Sequence, residues 1–144
     1  MKIVALVQAR MGSTRLPGKV LKSIVRKPMI ELLLARLSQS KELDLIVVAA
    51  SEESQNDQLQ SVVESLGYLC TRGSERDVLS RFYTSAKFVD ADVVVRITGD
   101  CPLVDSVLVD QCIQGFKESQ VDYFSNIGPA TYPDGLDIEV MSFT

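Results

Sequence analysis

The feature that decides most about this chain is an alternation: short β-branched runs take turns with segments of helical period along its whole length. Residues 2–7 form an apolar run of the kind found in buried parallel strands. Pro28 opens a helix at a position where proline is tolerated, and Ile30, Leu33, Leu34 and Leu37 fall on one face of it. Residues 45–50 make a second buried strand. Ser54 with Asp57 reads as a capping box ahead of Leu59, Val62, Val63 and Leu66, with Gly67 at the C′ position. A third strand spans 68–71. Ser74 with Asp77 repeats the box, and Val78, Phe82 and Val89 carry the next helical face. Residues 92–97 are the most strongly β-branched strand; 105–116 read as helix, and 121–125 and 136–141 as strands. Strands separated in this way predict an α/β class fold, a doubly wound and mostly parallel sheet with helices on both faces. No repeat, low-complexity tract or linker interrupts it, so 1–144 reads as one domain. The stop directly after a strand-like run predicts that a C-terminal part of the fold is missing.

Composition removes several functions. The apolar fraction of 46% and charged fraction of 24% are those of a globular chain with a real core. Its longest apolar run, 45–50, is too short to span a bilayer, so no membrane partner is expected. The N-terminal run turns polar at Gln8 without a cleavage pattern, which reads as a strand and not a signal peptide. Cys70, Cys101 and Cys112 make an odd set with no C-x-x-C spacing, which suits a reducing cytoplasm and gives neither a zinc site nor a disulfide framework. There is no histidine, which rules out Ser-His-Asp, Cys-His and His-metal chemistry. The net charge of -4 argues against nucleic acid as a partner. Yet no Asp or Glu occurs before Glu31, while Lys2, Arg10, Arg15, Lys19, Lys22, Arg26 and Lys27 do. An acidic protein that gathers cations at its start presents them to a small anion, although Lys22, Arg26 and Lys27 read as a solvated face.

In open α/β sheets, ligands bind beyond the carboxyl ends of the strands. Here that place is held by Gln8-Ala9-Arg10-Met11-Gly12-Ser13-Thr14-Arg15-Leu16-Pro17-Gly18-Lys19. Gly12 leaves room for backbone amides to approach a phosphate. Ser13 and Thr14 add hydroxyl donors, Arg15 a planar fork and Lys19 a mobile charge, a set suited to a polyphosphate. The spacing is not that of a Walker loop, since five residues separate Gly12 from Gly18 and Val20 comes after Lys19. No G-x-G-x-x-G fingerprint is present either. A turn with solvated charges is the alternative reading of the same residues.

This loop resembles the signature of the cytidylyltransferase family that activates acidic sugars, and within it the spore-coat polysaccharide biosynthesis protein F branch. That branch is related to the synthetases of CMP-linked ketodeoxyoctonate and sialic acid. Three further blocks are similar to it: Arg72-Gly73-Ser74-Glu75-Arg76-Asp77-Val78-Leu79-Ser80-Arg81-Phe82, Arg96-Ile97-Thr98-Gly99-Asp100-Cys101-Pro102-Leu103 and Tyr132-Pro133-Asp134-Gly135-Leu136-Asp137. The resemblance implies the three-layer, Rossmann-like nucleotide-diphospho-sugar transferase fold. It also implies CTP and a sugar or sugar-acid acceptor as partners, Mg²⁺ as cofactor, and pyrophosphate as leaving group. Ala9, Arg10, Gly12, Ser13 and Thr14 would lie beside base and phosphates, with Arg15 and Lys19 holding the triphosphate and stabilising charge as pyrophosphate leaves. Ser74 and Asp77 belong to the block that resembles a base- or ribose-binding segment, and a helix cap explains Ser74 equally well. Asp100 would hold the metal, with a turn or cap before Pro102 as its structural alternative. Cys101 reads as packing. Asp134 and Asp137 resemble a region near the acceptor, where a plain turn is the stronger reading. A second metal-binding acid is expected beyond Thr144. The family often forms homodimers, but the chain shows no interface signal of its own. Two other readings stay open: a nucleotide-binding module without turnover, and a glycosyltransferase on a similar sheet, against which the lack of Asp-x-Asp after the fourth strand counts.

Overall fold

The computed structural model describes residues 1–143. Four neighbouring strands of a six-stranded sheet run parallel: β1 (Ile3–Ala9), β4 (Leu45–Ser51), β5 (Leu69–Gly73) at one edge, and β6 (Val93–Thr98). Between β1 and β4 lie a small hairpin, β2 (Ser23–Ile24) and β3 (Lys27–Pro28), and helix α1 (Met29–Leu37). Helix α2 (Asp57–Ser65) comes after β4, α3 (Val78–Phe88) after β5, and α4 (Ser106–Ser119) after β6. The last strands, β7 (Tyr123–Ser125) and β8 (Glu139–Ser142), close one edge antiparallel, giving the order β5-β4-β1-β6-β8-β7. The sheet is therefore mostly parallel, as the alternation predicts.

The period of two along β1 sorts its side chains between two cores. Ile3, Ala5, Val7 and Ala9 join the larger one with Ile30, Leu33, Leu34 and Leu37 of α1, Leu59 and Val63 of α2, and Leu108, Val109, Cys112, Ile113 and Phe116 of α4. Val4 and Leu6 face the other way, onto Phe82 and Ala86 of α3. Both layers are dry: Val4, Leu6 and Val7 are completely buried. Truncating one such leucine to alanine removes contacts worth about 3 kcal/mol. Among the described residues no helix is long and apolar enough to cross a membrane.

Three local expectations need correction. The Ser54–Asp57 box does not form, because residues Ser54–Asn56 make a 3-10 turn and α2 starts only at Asp57, after Asn56. The Ser74–Asp77 box forms only in part. Ser74 Oγ accepts from the Asp77 amide at 3.0 Å, but Asp77 itself is the cap of α3 and accepts from the Ser80 amide at 2.9 Å. Pro28 precedes α1 as its cap residue and also serves in β3. The β2–β3 hairpin had no turn signal, since Val25 and Arg26 take the positive φ values of 50° and 67° that such turns normally assign to Asn and Gly.

Candidate active site

Parallel pairing sets Gln8 beside Thr98, so β1 and β6 end side by side. The turn out of β6 depends on Gly99. Its amide donates to the Gln8 carbonyl at 2.7 Å, and a Cβ there would stand 2.5 Å from that same oxygen. No larger residue lets the chain cross the end of β1 this closely. Asp100 is thereby delivered to the mouth of the loop that leaves β1.

That loop closes on itself. The Met11 carbonyl accepts from the amides of Ser13 and Gly18, both at 2.9 Å, and Ser13 Oγ accepts from the Leu16 amide at 3.3 Å. Gly18 takes φ +69°, a turn that returns the chain to the buried anchor Val20. Asn56, which is buried, accepts from the Met11 amide at 2.8 Å and ties the loop to the turn that precedes α2. The result is a polar cavity of about 210 Å³, lined by Ala9, Arg10, Ser13, Thr14, Arg15 and Lys19 on one side and Thr98, Gly99 and Asp100 on the other. Lys19 Nζ bridges the two walls, 2.7 Å from Asp100 Oδ2. This hydrogen bond is the main reason the Asp100 carboxyl is held below the usual carboxylate range, against the opposing effect of its partial burial.

The structure thus gathers Ala9, Arg10, Ser13, Thr14, Arg15, Lys19 and Asp100 at one place. Gly12 lies on the loop's other flank, against Gln55 and Glu75. Ser74 and Asp77 stand at the start of α3 in the capping bonds described above and do not line the cavity. Their block reaches the loop through Glu75, whose Oε1 accepts from Arg10 Nη1 at 2.6 Å. Burial raises the Glu75 carboxyl, but hydrogen bonds from Ser51 and Arg10 outweigh it and leave the group below its ordinary range. Behind it Arg81, 1% exposed, donates to the Ser74 carbonyl at 2.9 Å while its Nε and Nη2 are buried without partners. Nothing in the sequence marked Asn56, Glu75 or Arg81 as site residues. Glu75 and Arg81 belong to the 72–82 block but have no spacing signal of their own, and the long reach from Asn56 to Met11 has none.

Asp100 is also part of a second, larger cavity of about 800 Å³. Its walls come from Arg36 on α1, the segment 100–105, the first turns of α4, and residues 132–136. Asp134 lines it and Asp137 does not. Asp137 instead lies close enough to Cys101 to add, after burial, to the upward shift of that thiol. Cys101 Sγ sits 3.3 Å from Thr98 Oγ1 and is half-buried, in keeping with packing.

For a divalent cation the donor set is lean. Among the described residues no three His, Cys, Asp or Glu side chains cluster. Asp100 offers a hard, ionised oxygen on the wall of a phosphate-sized cavity. That suits Mg²⁺, which is commonly held by one or two carboxylates with nucleotide phosphates filling other positions.

The comparisons with known proteins agree with this architecture. The family model described as Cytidylyltransferase matches residues 4–132. Spore coat polysaccharide biosynthesis protein SpsF of Bacillus subtilis is 40% identical over 125 residues, covering 84% of this chain and 52% of that protein. The 3-deoxy-manno-octulosonate cytidylyltransferase of Trichlorobacter lovleyi is 31% identical over 118 residues, covering 81% of this chain and 45% of that one. A solved cytidylyltransferase from Leptospira borgpetersenii superimposes with a TM-score of 0.95 at 36% identity, over 99% of this chain and 61% of its own. The chain spans about half the length of the curated relatives it matches. A match over most of the sequence, spanning the loop, the Asp100 turn and most of the sheet, places this chain in the cytidylyltransferase family.

Proposed function

We propose that this chain carries the nucleotide-binding and metal-binding half of a CTP-dependent nucleotidyltransferase, which activates a sugar or sugar acid for polysaccharide synthesis with release of pyrophosphate. The observation that carries this is the position of Asp100, on the wall shared by a small cationic cavity and a larger cavity. A transferase must bring two substrates to one atom, and here two cavities meet at one carboxylate.

In this reading the triphosphate occupies the loop cavity. Arg15 presents its fork to the phosphate oxygens, Lys19 a point charge, and Ser13 and Thr14 their hydroxyls. An acceptor hydroxyl oxygen in the larger cavity attacks the α-phosphorus, its proton leaving on the Asp100 side. The bond from the α-phosphorus to the bridging oxygen breaks, and pyrophosphate departs with the electron pair. Arg15 and Lys19 stabilise the charge that builds on it. Mg²⁺, held by Asp100 and phosphate oxygens, would supply charge neutralisation at the reacting phosphate. Ser74 and Asp77 act through the start of α3, which Glu75 links to Arg10, and not by direct contact. Asp134 and Asp137 belong to the acceptor side. A cytoplasmic location and a homodimer fit the same reading.

Pyrophosphate release from CTP with Mg²⁺ and a sugar panel tests the proposal. Turnover by this chain supports it. CTP uptake without pyrophosphate in any pairing points to a binding module, and no CTP uptake overturns the reading.

A further inference from the structure

Residues 72–82 bury an arginine beside the loop, and its bonding is incomplete. Gly73 at the end of β5 makes room for Arg81, since a Cβ there would stand 3.0 Å from Arg81 Cγ. Arg81 Nη1 donates to the Ser74 carbonyl at 2.9 Å, but Nε and Nη2 are buried without a partner. An acceptor of opposite charge is in the same state close by. Glu75 gives Oε1 to Arg10 Nη1 at 2.6 Å, and its Oε2 is buried without a partner. Burial works against the Arg81 charge, the Glu75 carboxylate supports it, and the Arg10 guanidinium opposes it. One carboxylate thus stands between two guanidinium groups and is bonded to only one of them.

Idle donors on a buried guanidinium cost free energy that an apolar side chain of similar length would avoid. These atoms are closed off by residues of this chain, so their lack of partners does not depend on segments that the longer relatives carry. The two idle donors, Nε and Nη2, lie on the same side of the guanidinium and form a fork that can take both oxygens of a carboxylate. What keeps Glu75 from that fork is Arg10, which lines the loop cavity with its side chain 46% exposed. An anion in the cavity and Glu75 therefore compete for one guanidinium. If the anion wins, the Glu75 charge needs a new partner, and Arg81 has two donors to spare.

We infer that Glu75 exchanges partners when the loop cavity takes its nucleotide: it releases Arg10 to the phosphates and closes onto Arg81. This rests on the reading of the loop cavity as a triphosphate site and adds to it a residue that never meets the ligand. Arg81 is then a positioning residue. It gives the displaced carboxylate a place to go, and so lowers the cost of freeing Arg10. The exchange also ties occupancy of the loop to the start of α3, because Glu75 and the Ser74 carbonyl that holds Arg81 both lie in the turn before that helix.

The test titrates the 144-residue chain with CTP and Mg²⁺ by calorimetry. Arg81→Met keeps the length of the side chain and removes its charge, and should weaken CTP on the order of tenfold, a usual size for coupled groups. Adding Glu75→Gln should restore the affinity to that of Glu75→Gln alone, since the competing charge is gone. An Arg81 that served only to hold the fold would show no such rescue. In the unmodified chain, the NMR signal of the Arg81 Nε–H should move downfield on CTP binding as it gains a charged acceptor, and Glu75→Gln should abolish that movement. This second measurement needs no Arg81 variant, so it decides the matter even where Arg81→Met does not fold. CTP affinity untouched by Arg81→Met, a loss that Glu75→Gln does not relieve, or an Nε–H signal that CTP leaves in place would each overturn the exchange and leave the nucleotide reading standing. No CTP bound by the unmodified chain would overturn both.

Discussion

The two cavities that meet at Asp100 are built in opposite ways. The loop cavity is small, polar and made mostly from one continuous stretch that folds back on Met11, with the Thr98–Asp100 turn as its other wall. The larger cavity is apolar and assembled from four pieces that stretch from Arg36 to Leu136. The first is a site that a short sequence can specify by itself; the second exists only after α1, β6, α4 and the 132–136 segment have packed. On the proposed reading, binding of a polyanion would be a local property, and choice of acceptor a property of the tertiary fold.

The strongest way to break this contrast is at the residue the cavities share. Asp100→Ala should lower pyrophosphate release by about a thousandfold, the scale of losing a charge-stabilising group at the reacting phosphate. Both substrates should be affected in steady-state kinetics. A variant that loses only one would show that the cavities do not meet functionally. Next in size is Gly99→Ala. Its Cβ would press on the Gln8 carbonyl at 2.5 Å, and overpacking against backbone costs about 2 kcal/mol. Thermal unfolding should fall by several degrees, and an unchanged Tm would mean that the crossing can relax.

Two milder variants sharpen the division. Arg15→Ala should raise KM for CTP on the order of tenfold and leave that of the acceptor nearly unchanged, while Tyr132→Ala should do the reverse. Equal effects on both substrates from either change would dissolve the distinction. The smallest effect belongs to the Arg10–Glu75 link. The folded protein holds the Glu75 carboxyl below its ordinary range. Its stabilisation is therefore present above the unfolded value and is lost as pH falls through the lower folded one. Comparing Tm from neutral pH into acid, Glu75→Gln should lie below the unmodified chain at neutral pH, with the gap closing as the carboxyl protonates. A constant gap would show that Glu75 acts only by packing.

Legibility in the sequence divides along the same line. Strands 2–7, 45–50 and 92–97 announce themselves because β-branched runs bounded by helical periods have few other ways to fold, and each lies within two residues of its observed ends. The loop was legible because its cations, glycines and hydroxyls are neighbours in the chain. Asp100 stands out in the sequence through the resemblance of the 96–103 block, and its place after Gly99 at the end of a strong strand agrees with the turn observed there. Helix caps were less legible: Ser54 is drawn into a 3-10 turn, while Asn56, which stands before α2, spends its side chain on Met11 and Glu53. Arg36 and Leu103 gave no sign of lining a cavity, since nothing local distinguishes an arginine that fastens a distant loop, here through the carbonyls of Leu103 and Val104, from one in solvent.

The central proposal is that residues 9–19 and Asp100 grip one triphosphate. A crystal soaked with CTP and magnesium examines that grip directly. Phosphate oxygens are expected within hydrogen-bonding distance of Arg15 and Lys19, with the metal on Asp100 and the Lys19–Asp100 bond opened to admit it. Nucleotide bound elsewhere, or a loop cavity left empty with that bond intact at saturating CTP, would contradict it.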